Sequence, residues 1–457
     1  MSTLFTKGMA FIVVVVLLTH NTKAYSQSAT LDNYIGEAFK NNENIHIQHL
    51  QLDKALYALK EAGTLFLPNI SLLGTYTKAA GGRTIDLPIG DLLNPVYSSL
   101  NTLTASHSFP QVQNQSILLN PDNFYDTKFR TTLPLIDAEL YYNRKIKNEQ
   151  VSMQQASLNV YKRELVKSIK NAYYQCYEAD KAITIYTNAL VMVTENIRIN
   201  ESLLKNGVKN NTALTRAQTE KQKTETLITQ ARNNKKNAEA YFNFLLNKPL
   251  NSDIIIDTTL FTNDAFTTTT TDDITGREEF TQLNKAISAL TWNEQMQRAY
   301  LVPKLNTFLD LGSQGFNFKY DNKTQYYMFG LNLQWDLFAA GRNNYKIKQA
   351  KADVNMLKAQ YNQTDQALQL QMEQSRNNYN TAISAFNTAR TQLTLAEKYY
   401  TDQLRVYKEG QLLYIELLDA LNQLTDARLN LAVARANVLT AIAETERNTA
   451  TYPINNL

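Results

Sequence analysis

The chain has 457 residues, of which 44% are hydrophobic and 19% charged, and its formal net charge is only +4. A charge this close to zero provides no basic surface for nucleic acid, so we expect no nucleic-acid partner. The single cysteine excludes an internal disulfide, and the sequence shows no metal-ligand set, no phosphate-binding loop and no nucleophile with its base. We therefore expect neither an enzyme nor a bound cofactor or metal.

Residues 1–26 have the features of a secretory signal peptide. Lys7 provides a basic start and residues 9–18 form an apolar stretch. Ala24 and Ser26 are the two small residues of a small-x-small cleavage site, with Tyr25 between them. About ten apolar residues are too few to cross a bilayer as a helix. We expect an exported protein whose only means of entering a membrane is the β-strand.

The first structural repeat is predicted over residues 27–250. A helix over 31–64 ends before Pro68, and residues 69–77 alternate in polarity as a strand does. Prolines and glycines recur through residues 78–123, which predicts a long loop. This loop is either mobile at the surface or, if the strands belong to a barrel, folded over or into the mouth of that barrel. A second strand follows, and then a helix over 138–204, a turn at Gly207 and a return helix.

The strand over residues 125–135 has the clearest pattern in the chain. Asp126, Lys128 and Arg130 interleave with apolar residues, so one face of the strand is charged and the other is apolar. A strand between lipid and a water-filled lumen has this pattern. We therefore expect these three residues to line a barrel lumen.

A threonine-rich connector is predicted over residues 251–277, with a short strand at 254–256. The second structural repeat, over 278–457, follows the same order as the first. Its periodicity predicts a helix over 278–301, strands over 305–313 and 327–337, and two long helices over 341–408 and 413–447.

The two repeats are related by an offset of about 203 residues. This offset pairs Gly207 with Gly410 and Tyr142 with Tyr345. Such a long period indicates a duplicated structural unit rather than a short solenoid repeat. The two repeats together provide four amphipathic strands, which are too few to close a barrel. The chain must therefore oligomerise if its strands cross a membrane; the alternative is a soluble β-layer packed on helices.

Each repeat has the order helix, proline, strand, loop, strand and helix. In the second repeat, Tyr407 and Gly410 are followed by Glu416-Leu417-Leu418-Asp419-Ala420. In these two features the chain resembles the TolC-like outer-membrane efflux protein family. The resemblance covers nearly all of the sequence after the signal peptide. It implies an α+β membrane protein that is a homotrimer. Its transmembrane β-barrel would have 12 strands, four per chain, and would be continuous with a long α-helical periplasmic barrel.

The resemblance also implies a location and partners. The channel would contact outer-membrane lipid, have a large periplasmic portion, and dock to a periplasmic adaptor (membrane fusion protein) and an inner-membrane RND or ABC transporter. The hairpin tips would contact the adaptor; their residues are Asn206, Gly207, Glu409 and Gly410.

A pore gate near the second hairpin is implied in the same way. Glu416 and Asp419 match the acidic positions of the family, and Tyr407 matches its latch tyrosine. Leu412 replaces the latch arginine, and Ala213 replaces the acidic partner on the first hairpin. The alternative for the two acids is a solvated helix face.

We expect this protein to be a passive exit duct that conducts drugs or other small molecules. Type I protein secretion shares the same plan and stays open as an alternative. A periplasmic helical scaffold or adaptor without a barrel would explain the helices but not four amphipathic strands.

Overall fold

The structure is a computed structural model that describes residues 29–208, 210–262, 264, 266 and 273–454. The signal peptide predicted at residues 1–26 lies outside the described residues. In chain order the elements are α1 (Ala29–Asn41), α2 (Glu43–Thr64), β1 (Asn69–Thr77), β2 (Thr84–Leu87), α3 (Ile89–Thr104), β3 (Gln115–Leu118), β4 (Phe124–Ile136), α4 (Ala138–Lys205), α5 (Asn211–Leu245), α6 (Glu278–Arg298), β5 (Lys304–Phe316), β6 (Gln325–Gln334), α7 (Arg342–Lys408) and α8 (Tyr414–Thr449).

The contacts within the chain divide it into two units. A helical unit comprises the described residues within Met1–Leu56, Glu149–Ile287 and Asn355–Leu457, and a strand unit comprises Tyr57–Asn148 and Ser288–Val354. Each of the two predicted repeats contributes segments to both units. The repeat boundaries at 27–250, 251–277 and 278–457 stay a prediction.

The strand unit contains an antiparallel sheet with the order β1-β4-β5-β6. The four strands confirm the predicted ones, although β6 ends at Gln334, before the predicted end at residue 337. The strands have 9, 13, 13 and 10 residues. A tilted strand of about 9–11 residues is sufficient to cross a bilayer.

The predicted loop over residues 78–123 was wrong, because this segment folds. It contains the helix α3 and a separate two-stranded sheet in which β2 pairs with β3. Pro88 precedes the helix, and Pro95 lies inside it. A proline removes one helical hydrogen bond, which weakens a helix but does not prevent it where other contacts hold the turn.

The helix predicted over 31–64 is interrupted at Asn42. The Asn42 side chain accepts hydrogen bonds from the backbone N–H groups of Asn44 and Ile45, at 3.0 and 3.2 Å, as a helix N-cap does. Its Nδ2 donates to the carbonyl of Leu245 at 2.9 Å, and Tyr161 donates to its Oδ1 at 3.1 Å. These distant contacts explain why the chain begins a new helix at this residue.

The strand predicted at 254–256 was also wrong. Tyrosine hydroxyls occupy backbone groups that a strand partner would need. Tyr34 accepts from the N–H of Ile255 at 3.0 Å, and Tyr173 donates to the Ile255 carbonyl at 3.2 Å. Tyr173 also accepts from the N–H of Asp257 at 2.6 Å. The segment therefore packs against the helices as an extended connector.

The helical unit has a core around α4. Its fully buried members include Ile169, Tyr173 and Phe242. Cys176 is buried in the same cluster, and burial raises the pKa of its thiol to about 12. Among the described helices, none has a stretch that is apolar enough and long enough to cross a membrane.

Candidate functional site

The charged face of the strand unit carries all three predicted lumen residues. Asp126, Lys128 and Arg130 lie on the same side of β4 because side chains alternate along a strand. Lys128 Nζ is 2.6 Å from Asp126 Oδ2. Arg130 donates Nε and Nη2 to the two carboxylate oxygens of Asp310 at 2.7 and 2.6 Å. Tyr326 on β6 donates to Asp126 Oδ1 at 2.8 Å. This face therefore carries two ion pairs, on β4 and β5, and a hydrogen bond from β6; we call these contacts the charged network.

The pairing of Arg130 with Asp310 follows from strand register. The two residues are direct partners between β4 and β5. The Asp310 side chain is only 1% exposed, so the bidentate contact compensates for taking a carboxylate out of water. Sequence reasoning missed Asp310 and the part that Tyr326 plays in this network. Asp310 is the only acid within β5, and the alternation of that strand was the signal that would have found it.

A glycine makes room for this network. The Arg130 guanidinium lies 5.2 Å from the centroid of the Phe308 ring. Gly330 is opposite Phe308 in the register of β5 and β6. A Cβ atom at Gly330 would lie 2.5 Å from Phe308 Cε1. The absence of a side chain at Gly330 thus lets the aromatic ring lie beneath the arginine.

The opposite face of the same sheet is apolar and exposed. Phe129 is 57% exposed, Phe329 65% and Leu333 62%. The residues that share this face are Ile70, Leu72, Phe129, Leu311, Tyr327, Phe329, Leu331 and Leu333. One apolar face and one charged face are what a strand requires between lipid and water.

The hairpin tips lie in the helical unit. Gly207 and Gly410 have φ values of +73° and +80°, a left-handed conformation that glycine adopts without strain. The two tips are neighbours, since a Cβ atom at Gly410 would lie 3.2 Å from Val208 Cγ1. Asn206 and Glu409 are exposed beside the two glycines. The predicted tip residues are therefore together and accessible at one end of the unit.

Tyr407 is buried between the two hairpins. It is 0% exposed, and its hydroxyl donates to Asn200 Oδ1 on the first hairpin. The Tyr407 and Tyr414 rings lie 5.9 Å apart in the hydrophobic cluster at this end. Burial raises the pKa of Tyr407, and the bond to Asn200 lowers it by less. This hydrogen bond therefore links the two hairpins of one chain. The sequence analysis did not predict Asn200 as the partner of Tyr407.

Glu416 and Asp419 lie on the exposed side of α8. Glu416 accepts a hydrogen bond from the backbone N–H of Leu413 at 3.1 Å and so caps the helix. Asp419 accepts from Gln423 Nε2 at 2.7 Å, one turn further along. Leu412 and Ala213 pack against the hydrophobic cluster. The structure thus brings two carboxylates to one exposed helix face beside the tips.

A model of the outer membrane efflux protein family matches residues 34–248 and 276–446. The chain belongs to this family. Its members are outer-membrane efflux channels, so this protein is located in the outer membrane with a large helical part in the periplasm. Comparison with the curated proteins finds no match.

Solved channels have the same fold as this family member. It is similar to the outer-membrane channel OprN at 16% identity, with a TM-score of 0.74 over 93% of this chain and 91% of that one. VceC of Vibrio cholerae is 14% identical, with a TM-score of 0.73 over 92% of this chain and 96% of that one. CusC is 14% identical, with a TM-score of 0.75 over 93% and 95%. These likenesses confirm the TolC-like fold.

Proposed function

We propose that this chain is the outer-membrane exit duct of a tripartite efflux system. Three copies form a 12-stranded barrel, and their helices form a periplasmic tunnel. Drugs or other small molecules pass through it without any bond being made or broken. An inner-membrane RND or ABC transporter supplies the energy, and a periplasmic adaptor joins the transporter to the duct.

The two-faced sheet with open edges supports this proposal most strongly. β1 and β6 are the outer strands of the four, and each leaves one row of backbone groups without a partner strand within the described chain. Unpaired backbone groups are not tolerated in lipid. Since the apolar face suits lipid, the edges need strands from further copies of the chain. The number three comes from the family that the chain resembles.

Outer-membrane fractionation tests the proposal against its alternatives. The duct fractionates with the outer membrane and migrates as a heat-sensitive trimer on gels. A periplasmic scaffold would remain in the soluble periplasmic fraction. Pull-down of the partner pump, followed by transport of a drug or of a polypeptide, separates efflux from type I protein secretion.

In this duct Glu416 and Asp419 form an acidic ring at the periplasmic gate, and Tyr407 holds the hairpins that carry it. The exposure of both carboxylates on one face of α8 supports the ring. Replacing both by alanine is expected to raise single-channel conductance in planar bilayers or to weaken block by divalent cations. Asp402→Ala, an exposed carboxylate on α7, is the matched control. Unchanged conductance and block in the double variant would contradict the gate.

The hairpin tips are the adaptor contacts in this proposal. A photo-crosslinking amino acid at Asn206 or Glu409 is expected to capture the adaptor. The same amino acid at Asp321, in the turn between β5 and β6, is the control position. Crosslinks that form only at Asp321 would refute the assignment of the tips.

A further inference from the structure

The folded segment between β1 and β4 has no counterpart between β5 and β6. We define residues 78–123 as the insert; the corresponding turn in the second repeat covers only residues 317–324. One side of α3 is held to the returning chain by asparagines. Asn94 exchanges two hydrogen bonds with the backbone of Val112, at 3.0 and 2.8 Å, and Asn101 does the same with Phe109, at 2.8 and 3.1 Å.

The other side of α3 carries an exposed apolar stripe, which Ser99 interrupts between Val96 and Leu103. Leu92, Val96 and Leu103 are 68%, 51% and 82% exposed. At 100° per residue these three side chains lie within about 40° of one another, and about 180° from Asn94 and Asn101. A helix on the surface of a soluble protein normally presents polar residues on the side that faces water. The insert therefore has a covered polar side and an uncovered apolar side, the reverse of the expected arrangement.

The small sheet of the insert also exposes apolar side chains. Ile85 and Ile117 are register partners on β2 and β3, and they are 46% and 49% exposed. Contiguous exposed apolar surface on a folded segment usually marks a contact with another molecule. The question is which molecule covers it.

The charge of the insert argues against a lipid surface. The insert has two basic residues, Lys78 and Arg83, both at its start, and Lys78 forms an ion pair with Asp122. Residues 84–121, which carry α3 and the small sheet, contain no lysine or arginine, and their only formal charges are Asp86 and Asp91. Basic residues provide the attraction to phosphate-bearing headgroups, and acidic residues are repelled by them. An uncharged apolar surface instead suits a second surface of the same composition, which another copy of this chain provides.

The position of the insert in the sheet brings a second copy within reach. The insert begins where β1 ends, and β1 is an edge strand of the sheet. The insert is at one end of the sheet, and the long helices adjoin the other end. Where copies pair through β1 and β6, each insert stands at a boundary between subunits. We propose that the apolar stripe of α3 packs against the inserts of neighbouring copies and closes the outer end of the channel. This inference rests on the proposed trimer.

Cysteine crosslinking tests the contact. In a Cys176→Ala background, Leu103→Cys and Val96→Cys are expected to form disulfide-linked dimers in outer membranes treated with an oxidant. Ser98→Cys, exposed on the same helix but about 120° or more from the stripe, is the matched control and should form no disulfide-linked dimer. Equal crosslinking at all three positions, or none at the stripe while heat-sensitive trimers persist, would overturn the contact. Loss of the trimers themselves would instead contradict the proposed function.

Conductance tests the closure. Val96→Glu combined with Leu103→Glu places like charges at the contact, and we expect single-channel conductance to rise at least about twofold as the inserts separate. Ser98→Glu should leave it unchanged. Because the proposed periplasmic gate lies in series with the outer end, the same comparison is also made with Glu416→Ala and Asp419→Ala in every variant. Intact trimers that carry Val96→Glu and Leu103→Glu and show unchanged conductance in that background would show that the stripe does not close the channel, and would overturn that part of the inference.

Discussion

Glu279 lies between two buried arginines in the helical unit. Arg277 Nη2 is 2.8 Å and Arg447 Nη2 is 2.6 Å from Glu279 Oε1. The Arg277 and Arg447 side chains are 3% and 6% exposed, so both guanidiniums depend on carboxylates for compensation. Burial by itself raises the pKa of Glu279, but the two arginines outweigh it and lower the pKa from 4.5 to about 2.

This lowered pKa predicts an acid-sensitive contribution to stability. The contribution is present above about pH 4.5 and is lost as the pH falls towards 2, because the carboxylate must then be protonated. Glu279→Gln should lower the melting temperature at pH 7 by the equivalent of about 2 kcal/mol and flatten its pH dependence below 4.5. Circular dichroism melts across pH measure both. Glu373→Gln, which removes an exposed pair with Arg376, is the control; an equal effect there would contradict the prediction.

The ion pair of Arg130 with Asp310 makes a different residue-scale prediction. Arg130→Met leaves Asp310 buried without its main partner, so we expect a lower melting temperature. Adding Asp310→Leu removes the unpaired carboxylate and should restore much of the lost melting temperature. The melting temperatures of the original protein, the two single variants and the double variant form a double-mutant cycle, which measures the coupling of the two side chains. Additive effects would show that the two side chains are not coupled.

At the scale of the elements, the hydroxyl of Tyr407 adds a hydrogen bond between the two hairpins to their apolar packing. Tyr407→Phe leaves the Asn200 side chain without that donor, and the local cost should be about 1–2 kcal/mol. We expect faster hydrogen exchange at the ends of α4 and α7. Tyr400→Phe, on the same helix, is the control, since the Tyr400 hydroxyl forms no hydrogen bond to the described residues. Similar exchange in both variants would argue against a link between the hairpins.

The two tip glycines provide a comparison with a built-in control. Both have positive φ values, so alanine at either site costs about 1 kcal/mol of backbone strain. Only Gly410 has a close neighbour, since at Gly207 nothing lies within 4 Å of the position that a Cβ atom would take. Gly410→Ala should therefore open the tip more than Gly207→Ala, and Val208→Ala should abolish the difference. Hydrogen exchange at residues 203–208 measures this; equal effects would exclude the contact.

At the scale of the whole molecule, the open sheet edges govern assembly. We predict that cysteines placed on β1 and β6 link different copies. Ser71→Cys combined with Tyr326→Cys or with Met328→Cys should give linked trimers after oxidation, in the Cys176→Ala background. Thr132→Cys on the central strand β4, combined with the same β6 cysteines, should not. Failure of every edge pair in membranes that contain heat-sensitive trimers would show that the copies do not pair through these edges.

Much of the fold was predictable because its strands and helices follow the local periodicity of polar and apolar residues. The alternation of Asp126, Lys128 and Arg130 with apolar residues predicted β4 and its two faces, and the structure confirms both. The run without proline or glycine predicted the 68-residue helix α4 within one residue at its end. For the site, the sequence indicated the tips and the exposed acids Glu416 and Asp419. Their roles as adaptor contact and gate stay predictions.

By itself, the sequence determined the strands, the long helices, the two hairpins and the resemblance to a family of trimeric channels. These depend on residues that are close along the chain, where periods of 2 and 3.6 decide which side chains share a face. Only the tertiary structure decided that Arg130 pairs with Asp310, 180 residues away, and that Asn42 ends a helix by binding Leu245, 203 residues away. It also decided that the prolines of the insert permit a helix. Such features depend on which distant groups meet, and a local pattern carries no information about that.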